Sequence, residues 1–129
     1  MKIKFTIKGA PRTKKNSQQI VQIKGRPRLI ASAPYRKYEQ MCKGQIPAEH
    51  IDSPVNIKAT YYMPTRRRVD ITNLESALMD VLVKEGCLAD DNCKIVVSTD
   101  GSRVMYDKLN PRTEVEIEHL VGYKSPMGK

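Results

Sequence analysis

Ile3, Phe5 and Ile7 alternate with Lys2, Lys4 and Lys8 in KIKFTIKG, Lys2 to Gly9. That period of two predicts a half-buried strand. APRTKKNS follows as a Pro-containing loop carrying four basic or amide side chains. QQIVQIKGRPRLIAS, from Gln18, reads as a hairpin: a strand, a turn holding Gly25 and a short second strand. APYRKYEQMCKGQIP predicts a helix that opens at Ser32 or Pro34 and ends by Pro47, with Gly44 near its close. SPVNIKATYYMP predicts another strand, with Val55, Ile57, Ala59 and Tyr61 on one face. From Leu74 the period changes. Leu74, Ala77, Leu78, Val81 and Leu82 recur at the spacing of one helical face. Thr72 and Glu75 have the spacing of a capping box, which starts this helix at Thr72, and Gly86 stops it. CKIVVSTDGSRVMY and RTEVEIEHLVGY read as two closing strands, joined by a loop at YDKLNPR.

The order is β-ββ-α-β-α-β-β. It predicts an α+β fold, a mixed or antiparallel sheet of about five to six strands packed by two helices. At 129 residues the chain makes one domain, 1–129, with about 120–129 as a flexible tail. Met79 and Val83 put apolar groups on a second side of the later helix. That side is to be covered by another part of the chain or by a second subunit.

Composition narrows the function. Hydrophobic content of 40% is that of a globular domain. No apolar run approaches the ~18 residues of a membrane span. The charged N-terminus lacks a secretory core, so the expected location is cytoplasmic. Three cysteines (Cys42, Cys87 and Cys93) form no Cys-x-x-Cys pair. They read as reduced, largely buried thiols rather than zinc ligands. Neither His50 nor His119 has a candidate nucleophile beside it.

Charge is uneven. Residues 1–69 hold 16 Lys and Arg against 3 Asp and Glu; residues 70–129 hold 7 against 11. The balances of +13 and −4 sum to +9. A basic half of this kind suits a polyanion, most often nucleic acid. With six Tyr, one Phe and no Trp, contact with phosphates fits better than stacking on bases.

Six of the 14 acids lie between Asp70 and Asp91, directly after Arg66, Arg67 and Arg68. Carboxylates there repel DNA unless a cation stands between. Mg²⁺ held by two or three carboxylates makes such a cluster attractive to phosphate and activates water for hydrolysis. Asp70 precedes the later helix, whereas Asp90 and Asp91 follow its Gly86 stop. About 13 helical residues separate them by ~20 Å. A shared site therefore requires the chain after Gly86 to travel back toward the helix start. More ordinary readings exist: Glu75 as a cap, Asp80 with Lys84 as an i, i+4 pair, and Asp90-Asp91-Asn92 as a polar turn.

Asp70-x-x-Asn73, Ala77, Asp80, Leu82, Gly86 and the pair Asp90-Asp91 resemble the RusA family of Holliday-junction resolvases. GAPRTKKN and SAPYRKY resemble that family's loop and the start of its first helix, and the likeness spans residues 5 to 118. It implies a Mg²⁺-dependent endonuclease, with Mn²⁺ as a substitute, acting as a homodimer. Such enzymes nick two strands of a four-way DNA junction symmetrically, which suits a bacterial or phage-encoded protein. Position by position, Asp70 and Asp91 match metal-binding acids and Asn73 matches the motif's amide, with Asp90, beside the second ligand, expected to help hold the metal. Lys14, Lys15 and Asn16 would join Arg66, Arg67 and Arg68 on the DNA backbone. The family's run Asp-x-Asp-Asn-x-x-Lys is broken here, since Thr72 replaces the second acid and Ser76 the lysine. Two rivals follow: a junction-binding protein that does not cut, and a general nucleic-acid-binding module.

Overall fold

The computed structural model describes residues 2–13, 18–31 and 33–123. Lys14, Lys15 and Asn16 lie outside them. The elements run β1 (Lys2–Lys8), β2 (Gln18–Ile23), β3 (Arg26–Ala31), α1 (Ala33–Cys42), β4 (Val55–Met63), α2 (Ile71–Lys84), β5 (Val96–Ser98), β6 (Arg103–Tyr106) and β7 (Arg112–His119). The fold is α+β.

β1, β7, β4 and β5 lie side by side in that order, and β6 joins the same edge of β4 beyond β5. β1–β7 and β7–β4 pair antiparallel, while β5 and β6 run parallel to β4. The sheet is thus mixed. Its alternation decides its two faces. Ile7, Val55, Ile57, Ala59, Tyr61, Val115 and Ile117 are buried in one core with Leu74, Leu78 and Leu82 of α2 and with Tyr35, Tyr38 and Cys42 of α1. The opposite face is polar. Glu116 of β7 stands between Lys4 of β1 and Lys58 of β4 in the register, and it bridges Lys2 at 3.6 Å and Lys4 at 3.5 Å.

β2 and β3 form a separate hairpin. Lys24 and Gly25 turn it with φ of 52° and 76°, as a two-residue hairpin loop of the I′ kind requires.

The expected single strand from Cys93 to Tyr106 is broken in two. Asn56 of β4 accepts hydrogen bonds from Ser98 Oγ (2.5 Å) and from the Asp100 amide (2.8 Å), and donates to the Asp100 carbonyl (3.2 Å). Ser102 Oγ accepts from the Ala59 amide at 3.0 Å. These side chains occupy β4 backbone positions that a continuous strand would pair with, so residues 99–102 bulge out.

α2 starts at Ile71, with Asp70 as its N-cap, and not at Thr72. The Asp70 carbonyl accepts from the amides of Asn73 (3.1 Å) and Leu74 (3.2 Å). At the other end the Gly86 amide donates to Val83 O and the Cys87 amide to Leu82 O. With Gly86 at φ 79° this is a Schellman ending, as the sequence predicts. Met79 is buried within the chain. α1 covers that side: the Tyr35 hydroxyl donates to Asp80 Oδ2 at 3.4 Å, and Lys84 bridges Glu39. Lys84 therefore serves α1 instead of Asp80, and Met79 is covered within the chain, with Val83 partly buried against the same core.

Of the expected tail, residues 124–129 lie outside the described residues, while the Leu120 amide donates to the Pro54 carbonyl at 3.0 Å. Cys42 and Cys87 are buried, and burial pushes both thiols up to about 11; Cys93 is exposed, against expectation. One thiol per native chain should therefore react with a water-soluble disulfide reagent at pH 8, and three after unfolding in guanidinium. Fast reaction of a second native thiol would contradict the packing of α1 or of the turn after α2.

Candidate active site and nucleic-acid interface

β4 ends at Met63 and the chain leaves the sheet through Pro64 to Val69. This segment carries the three arginines, and the structure separates their roles. The Arg66 guanidinium sits 4.1 Å from the centre of the Tyr106 ring, which ties the segment to β6. Arg67 and Arg68 instead line a groove of about 450 Å³ with Arg12, Thr13, Met63 and Val69.

Asp70 comes next, exposed at the start of α2. Its Oδ2 accepts from Asn73 Nδ2 at 3.2 Å. The carboxylate makes no hydrogen bond to the first amides of the helix. A negative group at a helix N-terminus is favoured by the exposed amides there, and Asn73, one turn on, orients it. Thr72 and Ser76 are both exposed on the first turns.

Asp90 and Asp91 lie at the other end of α2. After Gly86 the chain does not travel back toward Asp70. The Ile51 amide donates to Cys87 O (3.0 Å) and the Ala89 amide to Ile51 O (2.8 Å), with Ile51 and Leu88 bridged in parallel. The chain then passes through Asp90 and Asp91, turns from Asn92 to Ile95, whose amide donates to Asn92 O at 3.0 Å, and enters β5 beside Val55, the first residue of β4. Both Asp90 oxygens are used at the entry to this turn. Oδ1 accepts from the Asp91 amide (2.8 Å) and Oδ2 from Asn92 Nδ2 (3.1 Å), and these bonds hold its carboxyl below the ordinary carboxylate range. Asp90 thus holds the two residues that follow it, and Asp91 stands exposed beside it.

Fourteen residues of α2 separate the two sites, about 21 Å at the helical rise. Glu75 and Asp80 do not bridge the gap. Asp80 is held at the α1 side by Tyr35, and the Glu75 charge adds to the effect of burial in raising the Tyr61 hydroxyl pKa. Among the described residues no three His, Cys, Asp or Glu side chains gather closely enough to hold a metal ion. In one chain the acids do not fit Mg²⁺. The requirement that the chain return to the helix start is not met.

The family model for endodeoxyribonuclease RusA matches residues 6–118, nearly the whole chain. The chain belongs to the RusA family. That family is one of endodeoxyribonucleases that act on Holliday-junction DNA, which supports DNA as the partner. The matched span includes Asp70, Asn73, Asp90 and Asp91 as well as the Arg66 to Arg68 segment. A search of curated proteins finds no match. No helix among the described residues of this RusA-family chain is long and apolar enough to cross a membrane.

Two further cations, beyond those expected on the DNA backbone, belong to the same region. Arg12 lines the groove with Arg67 and Arg68, and Lys37 of α1 lines a second groove beside Arg12. The only signal for Arg12 was its place in the basic loop. Nothing in the local pattern marks Lys37.

Proposed function

We propose that this chain cuts four-way DNA junctions by paired symmetric nicks, and that each of its two active sites is assembled from two copies. The observation that carries this reading is the RusA match, which spans Asp70 and Asp91, two exposed acids that one chain holds at opposite ends of α2. A twofold dimer resolves the conflict, because an antiparallel partner brings its Asp91 end to the first chain's Asp70 end. The β5–β6 edge suits such pairing. β6 is hydrogen-bonded to β4 on one side, and Val104, Met105 and Tyr106 are exposed along it. An open apolar strand edge is a surface that proteins ordinarily cover. A twofold axis at this edge, perpendicular to the sheet, sets the start of β5 in one chain against the end of β6 in the other.

Asp70 and Asp91 are the acids in this reading, with Asn73 orienting Asp70 and Asp90 holding the Asp91 amide. A divalent cation, Mg²⁺ or Mn²⁺, would neutralise these acids and supply electrostatic stabilisation of the scissile phosphate. Its ligands would come from two chains. Arg67 and Arg68 grip the phosphates beside Asp70, and Lys14, Lys15 and Asn16 continue the basic loop that begins at Arg12. Cleavage of junctions serves recombination and repair in the cytoplasm of a bacterium or its phage-infected host.

A second reading is a junction-binding protein without cleavage. Thr72 and Ser76 favour it, since neither supplies the charge of the family's acid or lysine. An end-labelled four-way junction, incubated with and without Mg²⁺, separates the two. Paired nicks near the branch point that appear only with the ion, and no cutting of a linear duplex of equal length, are the expected result. Binding without product in both conditions establishes the second reading. Equal affinity for junction and duplex would leave only a general nucleic-acid-binding module.

A further inference from the structure

The two grooves beside Arg12 share Ala10 and Arg12 as walls. One, of about 450 Å³, is lined by Arg67, Arg68 and Val69, the residue that precedes Asp70 in the chain. The other, of about 270 Å³, runs from Arg12 over Ala33 and Pro34 to Lys37 on the outer side of α1. No carboxylate lines either. This contrasts with the depression on the open sheet face, where Lys4 and Lys58 are matched by Glu114 and Glu116. Arg12 and Lys37 are exposed, and no acid among the described residues is ion-paired to either. The chain holds them there by packing. Gly9, at φ 110°, turns the strand end against Met41 of α1, and a β-carbon at Gly9 would meet Met41 Sδ at 1.9 Å. The Gly9 amide donates to Pro111 O at 3.0 Å. Gln45 clamps the same corner, accepting from the Lys8 amide at 2.8 Å and donating to Lys8 O at 3.2 Å.

We infer that Arg12 and Lys37 form a phosphate track that leads a DNA strand away from Asp70, across the Gly9–Thr13 loop and onto the outside of α1. The occupant is the sugar–phosphate backbone of one junction arm. Unpaired cations in open grooves give sequence-independent contacts of that kind. The track rests on the nuclease reading for its direction, since it starts at the acid held to cut. It adds Arg12 and Lys37 to the phosphate contacts already placed on Arg67 and Arg68. Both act by positioning: they hold the arm that leaves the branch point and touch no reacting atom.

The test compares two double variants in the full chain, Arg12→Ala with Lys37→Ala, and Lys2→Ala with Lys4→Ala. Each lowers the net charge from +9 to +7. Affinity for a labelled four-way junction is measured from low to moderate salt in EDTA, with circular dichroism to check folding. The track variant should bind roughly tenfold more weakly at about 0.15 M salt, and the slope of log K against log salt should shrink by about 2. The Lys2/Lys4 variant should change the slope by less than about 0.5 on the same scale. Equal slopes for the two variants would overturn the track while leaving junction binding, and with it the nuclease reading, intact. No DNA binding by the unmodified chain would overturn both. Should the track variant fail to fold, Arg12→Gln with Lys37→Gln gives the same comparison.

Discussion

Asp70→Asn and Asp91→Asn should each abolish junction cleavage, and the two inactive proteins, mixed, should recover it. The recovery follows from where the acids sit. If a site takes Asp70 from one chain and Asp91 from its partner, a heterodimer of the two variants has one site lacking both acids and one site lacking neither. Random exchange puts about half the molecules in that form, so about one quarter of the wild-type sites return. Each heterodimer has one working site, so the recovered product should be single nicks rather than paired cuts. A site built within one chain predicts no recovery, because every site would still carry one substitution. The measurement is single-turnover cleavage of a labelled junction by co-refolded variants at several mixing ratios, with Mg²⁺ present. Each variant alone should bind the junction as tightly as the unmodified chain or more tightly, since a repulsive carboxylate is gone. Activity in either variant alone would remove that acid from the site. Two dead variants that stay dead when mixed would remove the shared arrangement.

The pattern of the chain foretold α2 well and the path of the chain around it poorly, for one physical reason. Leu74, Ala77, Leu78, Val81 and Leu82 repeat at the helical period, and each is buried; Gly86 ends the helix as a left-handed residue must. Those features are local. The helix start was also local, but Asp70 and Thr72 are both good caps, and the earlier one prevailed. What failed depended on contacts distant in sequence. Lys84 bridges Glu39 across 45 positions and not Asp80 four positions away. The strand after Asn92 breaks because Asn56 and Ser102 side chains take over its pairing. Met79 and Val83 revealed a second apolar side but not what covers it; α1 does. The motif links Asp70 with Asp91, yet a motif fixes order along the chain and not proximity. The pairing of Leu88 with Ile51 decides that the acids part, and nothing near Asp91 in sequence announces it.

Leu78→Ala should be the most destabilising single truncation in α2 and should leave the DNA-facing ends of the helix chemically untouched. Leu78 is fully buried near the middle of the helix, inside a core that includes residues of β4, β7 and α1. Removing its side chain loses transfer free energy and leaves a cavity, together about 3–5 kcal/mol. A domain of this size is stable by only about 5–15 kcal/mol, so Tm should fall by roughly 10–20 °C. Leu78→Met keeps the volume and should cost less than about 1.5 kcal/mol. Calorimetry at one fixed protein concentration checks both, because a dimer's Tm depends on concentration. The functional consequence distinguishes packing from chemistry. α2 holds one acid near each end, and the proposed phosphate contacts are Arg12, Lys37, Arg67 and Arg68, none of them on α2. At 10 °C, where the variant is still folded, its salt slope for junction binding should match that of the unmodified chain. Its cleavage should then track the folded fraction as temperature rises. A Tm change below about 3 °C, which corresponds to less than about 1 kcal/mol, would mean that α2 is not seated on the sheet. The ~21 Å separation of Asp70 from Asp91 within one chain would then lose its basis.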